Sequence, residues 1–290
     1  MLRSFIQTTN GLQTLLIDGK SHPAIAYTTY FEERSCAEDF IKAGYRIFFV
    51  NASFTTLPIN SKTGFSPFEV GIFEDKENCD FSEFENAVKK ILSLCPEAII
   101  FPRINISMPK WWIESHPDDV ITTEKAGLRE ALFSENFRCD ASKMLQITVE
   151  HIMKADYADR IGGWQICGGM TQEWFHHDLN GSLGKYAEKA FQAWSKKTLG
   201  IENALLPNSE DFLDNEIHEQ TNENAKNYAL FSDEEVAKSI DLFAKVIKEE
   251  TGHSQVVGTF YGYTFEGTTP LFGSHALRKI IDSENIDFLS

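Results

Sequence analysis

The chain has 290 residues, of which 42% are hydrophobic and 24% charged, a composition that builds a core and excludes a disordered chain. A net charge of -16 repels phosphate backbones and anionic lipid, which argues against nucleic acid and against a membrane surface as partners. No apolar run approaches the roughly 20 residues of a spanning helix, and the opening MLRSFIQTTNG lacks the apolar core of a secretory signal.

LQTLLIDGKSH, from Leu12, reads as a strand, an Asp18-Gly19 turn and a return strand, an N-terminal hairpin over 12–23. A strand–helix rhythm follows. AIAYTTY (Ala24 to Tyr30) is a strand, CAEDFIKAG (Cys36 to Gly44) a short helix ended by its glycine, and YRIFFV (Tyr45 to Val50) the second strand. Phe81, Phe84, Val88, Ile91 and Leu92 recur at helical spacing, and Pro96 stops that helix. AIIFPRINI, ending at Ile106, is the third strand, 141–155 a helix, and Gly163 to Cys167 the fourth strand. Two more helices are expected, at 182–199 and 232–250. The second opens on Ser232 and Glu235, a capping-box spacing. The polar stretch between them, 201–230, reads as an irregular excursion rather than a domain boundary. QVVGTFY (Gln255 to Tyr261), a helix over 270–281 and IDFLS (Ile286 to Ser290) supply the fifth strand, a helix and the sixth strand.

Nearly continuous apolar strands alternating with helices predict a parallel sheet buried on both faces. The long polar segments follow strands, not helices, which is the asymmetry of a (β/α)8 barrel of the TIM type. The chain is therefore read as a single barrel domain over 1–290 with only about six βα units. Six strands do not close a barrel, so two further strands are expected beyond Ser290.

The chemistry-bearing stretch is GGWQICGGMTQEWFHHD, which follows the fourth strand. Gly168-Gly169 permits a sharp turn, and Glu173 then stands at the carboxyl end of the strand, where barrel enzymes place their catalytic groups. Beside Trp174 and Phe175 a carboxyl is desolvated and held protonated, as a general acid for glycoside cleavage requires. Glu173 would also suit the first turn of a helix on macrodipole grounds. Loops after other strands carry Glu32, Asn51, Arg103, Asn105 and Tyr261, a mixture of aromatic, amide and charged groups suited to a sugar. His176-His177-Asp178 has no metal-ligand spacing; His176 reads as a hydrogen-bonding partner of the substrate or as a plain surface histidine. No metal or cofactor is expected. Cys36, Cys79, Cys95, Cys139 and Cys167 form no CxxC pair and suit reduced thiols, hence a cytoplasmic location.

Several of these segments resemble the catalytic barrel of clan A glycoside hydrolases, nearest the β-galactosidase-like families 42 and 35. IDGKSHP is similar to their start, YFEE to a YxPE region, ISMPKWWIESHPD to a PTxxPPxWLxxxxPE loop, and GWQICGGMTQEW to a WQxxNE motif. The resemblance implies a retaining β-galactosidase-like hydrolase. Glu173 would be its acid/base, and the nucleophile would follow a seventh strand, beyond Ser290. Gln172 stands where the family has asparagine. Gln172, Asn51, Arg103, Asn105, Trp174, His176, Tyr261 and Glu32 would contact the carbohydrate. Two alternatives stay open: a carbohydrate-binding barrel without catalysis, and a barrel lyase or hydrolase using His176 or His177 as base. A homo-oligomer is also left open.

Overall fold

The computed structural model describes residues 2–58, 63–123, 127–169, 172–175, 184–208, 211, 222–262, 273 and 275–290. The chain opens with three antiparallel strands, β1 (Ser4–Thr9), β2 (Leu12–Ile17) and β3 (Lys20–His22). Their tight turns are Asn10-Gly11 and Asp18-Gly19, with all four residues at positive φ, as the right-handed strand twist demands of two-residue hairpins. The expected hairpin is thus present and gains a third strand, which an Asn-Gly pair marks in the sequence.

Six parallel strands follow: β4 (Ala26–Tyr27), β5 (Ile47–Ser53), β6 (Ile99–Ile106), β9 (Gly163–Gly168), β10 (Val256–Thr259) and β11 (Phe288–Leu289). They pair in chain order across one sheet. The sheet is strongly curled. Between β5 and β11 lie four strand spacings, roughly 19 Å in a flat sheet. Yet the rings of Phe49 and Phe288 are 6.2 Å apart, and those of Phe101 and Phe288 6.1 Å. Only the curl of a barrel wall brings them together. Gly258 makes room for this, since a Cβ there would meet the Phe288 ring at 2.3 Å. The architecture is a partial (β/α)8 barrel.

Helices cover the outer face: α1 (Ala37–Lys42), α2 (Ser82–Leu94), α3 (Lys110–Ser115), α4 (Glu135–Lys154), α5 (Gly184–Leu199), α6 (Glu223–Glu250) and α7 (Leu277–Ile281). The main core lies between sheet and helices. Val88 and Ile91 of α2, Leu145 and Val149 of α4, and Ile240 and Phe243 of α6 meet the outward residues Phe48, Ile104 and Ile166. On the inner face Ile47, Ile99, Phe101 and Val256 pack against Leu15 and Ile17, so the N-terminal sheet plugs the amino ends of the barrel strands.

Several boundaries differ from the sequence pattern. Ser134 caps α4 by accepting a bond from the Phe137 amide at 3.2 Å, and the helix starts at Glu135 rather than Ala141. α6 starts at Glu223, capped by Asn222, so the polar stretch 201–230 contains its first two turns. Ser232 is fully buried inside α6, where burial overrides its capping-box spacing. α7 is confined to five residues. An antiparallel hairpin, β7 (Val120–Thr123) and β8 (Gly127–Glu130), is added between α3 and α4. Among the described residues no helix is long and apolar enough to cross a membrane.

Candidate active site

The inner face of the sheet changes character along its strands. At the amino end Phe49 pairs with Phe101, and Gly163 with Val256. One layer higher Asn51, Arg103 and Gln165 are neighbours across β5, β6 and β9. Above them come Ser53, Asn105 and Cys167. Strand alternation therefore delivers amides and a guanidinium to the carboxyl end of the barrel, the end that carries function. Apart from the half-buried Asn51, these side chains are almost wholly buried.

Gln172 and Glu173 enter over β9. The backbone returns on itself there: Gly168 N–H donates to Gln172 O at 3.2 Å, and Trp174 N–H to Gly168 O at 2.8 Å. Gly168 and Glu173 form an isolated parallel bridge. Gly169 has φ +74, and a Cβ on it would meet Phe175 O at 2.6 Å, so glycine is required. The two residues that flank Glu173 are also left-handed, Gln172 at φ +72 and Trp174 at φ +64. Such backbone is costly for residues with a Cβ and concentrates at sites that constrain a side chain. The surroundings hold it in place. Trp174 Nε1–H donates to Thr259 Oγ1 at 2.9 Å, and its ring stacks on Phe243 at 6.0 Å. Gln172 Oε1 accepts from Tyr30 O–H at 2.8 Å and from Arg103 Nη2–H at 3.2 Å. Glu173, pinned between them, is half-buried.

Arg103 lies under this turn. Its Nη2 also donates to Tyr30 OH at 2.7 Å, and its guanidinium faces the rings of Tyr30 and Phe260 at 5.2 and 4.7 Å. Asn51 Nδ2–H donates to Thr29 O at 2.6 Å, and Asn105 Nδ2–H to Ser53 Oγ at 3.0 Å. The Cys167 thiol is pushed up to about 11, chiefly by burial, with the Arg103 charge opposing and the Glu173 charge adding. That thiol is therefore protonated and no nucleophile, and Glu173 and Arg103 both act on it across the barrel mouth. A cavity of about 540 Å³ opens on the inner face, lined at its polar end by Tyr30, Arg103, Gln165 and Phe260.

Glu173, Gln172, Arg103, Asn51 and Asn105 are thus brought to one end of the barrel. Three other expected contacts are placed elsewhere. Trp174 is fully buried in the core beneath α6, because the left-handed turn at Trp174 sends its ring outward. Tyr261 is likewise structural: its hydroxyl donates to Gly273 O and accepts from Ala276 N–H, fastening the segment before α7. Glu32 sits in a 3₁₀ turn, Glu32–Arg34, that rotates it off the strand's inner face, and its carboxylate lies 3.6 Å from Lys90 of α2. His176 and His177 lie outside the described residues. Tyr30, Gln165 and Phe260 join the site although residue type alone does not single them out. Alternation carries the signal for two of them, since Ala26, Thr28 and Tyr30 line the cavity together, and Gln165 shares its face with Cys167.

A rim of loops supports the site. Buried Arg129 of β8 donates to Pro58 O and, at 2.9 Å, to Ser107 Oγ, tying the loops after β5 and β6 together. Its neighbour Glu130 accepts from Met108 N–H at 3.3 Å. Among the described residues no cluster of His, Cys, Asp and Glu is arranged to hold a metal.

The sequence matches no family model and no curated protein. Solved structures do match. A β-galactosidase from Bacillus circulans sp. alkalophilus superposes with a TM-score of 0.57 at 15% identity, over 91% of this chain and 38% of that one. A β-galactosidase from the psychrophilic Marinomonas ef1 gives 0.54 at 13% identity, over 82% and 36%. The catalytic domain of a β-amylase from Paenibacillus polymyxa gives 0.59 at 10% identity, over 87% and 70%. The chain spans little more than a third of the length of these β-galactosidases. Its curled parallel sheet and outer helices have the fold of the TIM barrels of these glycoside hydrolases, over the six βα units present.

Proposed function

We propose that the chain is the barrel of a retaining glycoside hydrolase acting on β-galactosides, with Glu173 as its general acid/base. The observation that supports this best is a set of buried amides with an open hydrogen-bonding end. Asn51 Oδ1, Asn105 Oδ1 and Gln165 Oε1 are acceptors, and Gln172 Nε2 a donor, that have no partner among the described residues. Buried polar atoms take their partners from protein, water or ligand, and groups that both donate and accept would serve all four. Sugar hydroxyls are both at once. Aromatic walls at Tyr30 and Phe260 suit the apolar face of a pyranose.

In this mechanism Glu173 protonates the leaving-group oxygen and later removes a proton from the water that releases the sugar. The turn that flanks it with two left-handed residues fixes the direction of its carboxyl. Retention also needs a second carboxyl about 5–5.5 Å away. We assign none among the described residues. The alternative is a barrel that binds sugar without turnover. The five cysteines are free, three of them exposed, which suits a reducing, cytoplasmic setting.

The test is hydrolysis of nitrophenyl β-galactoside by the full-length polypeptide, which would carry the nucleophile strand, and by its Glu173→Gln variant. Loss of acid/base help costs about 10²–10⁴-fold in rate, and azide, which needs no general base, restores turnover in the variant. Unchanged hydrolysis by Glu173→Gln overturns the assignment. Sugar binding with no hydrolysis by either form leaves the binding barrel.

A further inference from the structure

The turn that carries Glu173 is held on one side by a single phenol. A guanidinium cannot accept, so the Tyr30 hydroxyl, 2.7 Å from Arg103 Nη2, accepts from it. The one hydrogen of that hydroxyl is thereby directed to Gln172 Oε1, 2.8 Å away. Arg103 Nη2 donates to the same oxygen at 3.2 Å, which fills both of its lone pairs and fixes which way round the amide lies. Tyr30 is itself anchored. Its ring covers Arg103 at 5.2 Å, and Asn51 Nδ2–H donates to the carbonyl of the preceding Thr29 at 2.6 Å. A chain of contacts thus runs from β5 through the end of β4 to the residue before Glu173. Gln172 is the strained member, with φ +72. The other flank of Glu173 is fixed in the core, where Trp174 bonds Thr259 and stacks on Phe243. The direction of the Glu173 carboxyl is therefore most easily lost from the Gln172 side.

We propose that Tyr30 is a positioning residue for the proton-transfer step and acts through Gln172: its hydroxyl holds the left-handed turn in the conformation that aims Glu173 at the leaving-group oxygen. This rests on the glycosidase reading and deepens it. Tyr30→Phe keeps the ring over Arg103 and removes only the hydroxyl, which separates packing from proton delivery.

The full-length polypeptide is assayed for kcat/KM on phenyl β-galactoside, whose leaving oxygen must be protonated, and on dinitrophenyl β-galactoside, whose leaving group departs as a stable anion. Tyr30→Phe is expected to lose about 100-fold on the phenyl substrate, as a misplacement of about 1 Å costs, and no more than about tenfold on the dinitrophenyl one. Glu173→Gln is expected to show the same split. In a Gln172→Ala background Tyr30→Phe costs nothing further on the phenyl substrate, because the two residues act as a unit. Equal losses on the two substrates, no loss on either, or an effect that adds in full to that of Gln172→Ala overturns the proposal, while the split at Glu173 leaves the glycosidase reading standing. If Glu173→Gln itself shows no split, that reading falls and this one with it. Should Tyr30→Phe fail to fold by circular dichroism, Gln172→Met, which removes the acceptor and leaves Tyr30 intact, must show the split, and its absence overturns the proposal equally.

Discussion

Gln172 combines two constraints that a substitution can separate. Its side chain accepts from Tyr30 and Arg103, and its backbone sits at φ +72. Removing a buried acceptor costs about 1–3 kcal/mol. Gln172→Ala loses those bonds and keeps a Cβ in left-handed backbone. Gln172→Gly loses the same bonds without that strain. Both variants are expected to unfold at lower urea, the alanine form about 1 kcal/mol less stable than the glycine form. Equal midpoints would show that the left-handed turn stores no strain at this residue. Glu173 depends on the same turn, so under the proposed function either change is also expected to lower hydrolysis by the full-length polypeptide with Glu173 itself intact.

The helices show how single contacts set an element's start and its docking. Ser134 both caps α4 and donates to Asp119 Oδ1 at 2.7 Å, linking the helix to the segment before β7. Ser134→Ala is expected to cost about 1–2 kcal/mol in denaturant unfolding, at the upper end for a cap because two bonds are lost. Between α2 and α4, Glu85 accepts from His151 at 2.9 Å and Lys89 at 3.0 Å, and the His151 ring stacks on Phe81. These bonds, His151 first, hold the Glu85 carboxyl below its ordinary value of 4.5. A lowered carboxyl contributes stability that is present above its unfolded pKa and lost as pH falls through the folded one. Glu85→Gln should therefore flatten the fall in stability below about pH 4.5 while changing its slope little near pH 7. Parallel curves for the two proteins between pH 5 and 3 would contradict the clip.

At the scale of the molecule, the N-terminal sheet is a plug rather than an ornament. Leu15 and Ile17 fill the amino end of the barrel against Ile47, Ile99 and Phe101. Ser4 N–H donates to Ser254 O at 3.0 Å, and the Val256 amide to Ser4 Oγ at 2.9 Å, so β1 is bonded to the start of β10. Gln255 Nε2–H reaches Leu2 O at 3.0 Å from the same corner. Ile17→Ala is expected to cost about 2–5 kcal/mol, the range for a truncated aliphatic side chain in a packed core. A cost below 0.5 kcal/mol in chemical denaturation would mean that the hairpin rides on the barrel without supporting it.

Much of this was written in local pattern. Apolar periodicity marked every barrel strand and most helices, because alternation and helical spacing are set by which face must be buried. The Asp18-Gly19 turn was equally legible, since positive φ at both positions selects those residues. The same alternation placed Arg103 and Asn105 on the inner face. Other outcomes had no local signal. The capping spacing at Ser232 lost to burial within α6, and the hairpin at 120–130 forms where its side chains reach loops far along the chain. Trp174, Tyr261 and Glu32 looked alike as rim residues, yet a left-handed turn, two bonds near α7 and a pairing with Lys90 turned each away. The sequence by itself determined a parallel α/β barrel wall and the strand ends at which polar groups collect. Only the tertiary structure decided how far the sheet curls and which of those groups meet, because both depend on contacts between residues too distant in the chain for periodicity to register.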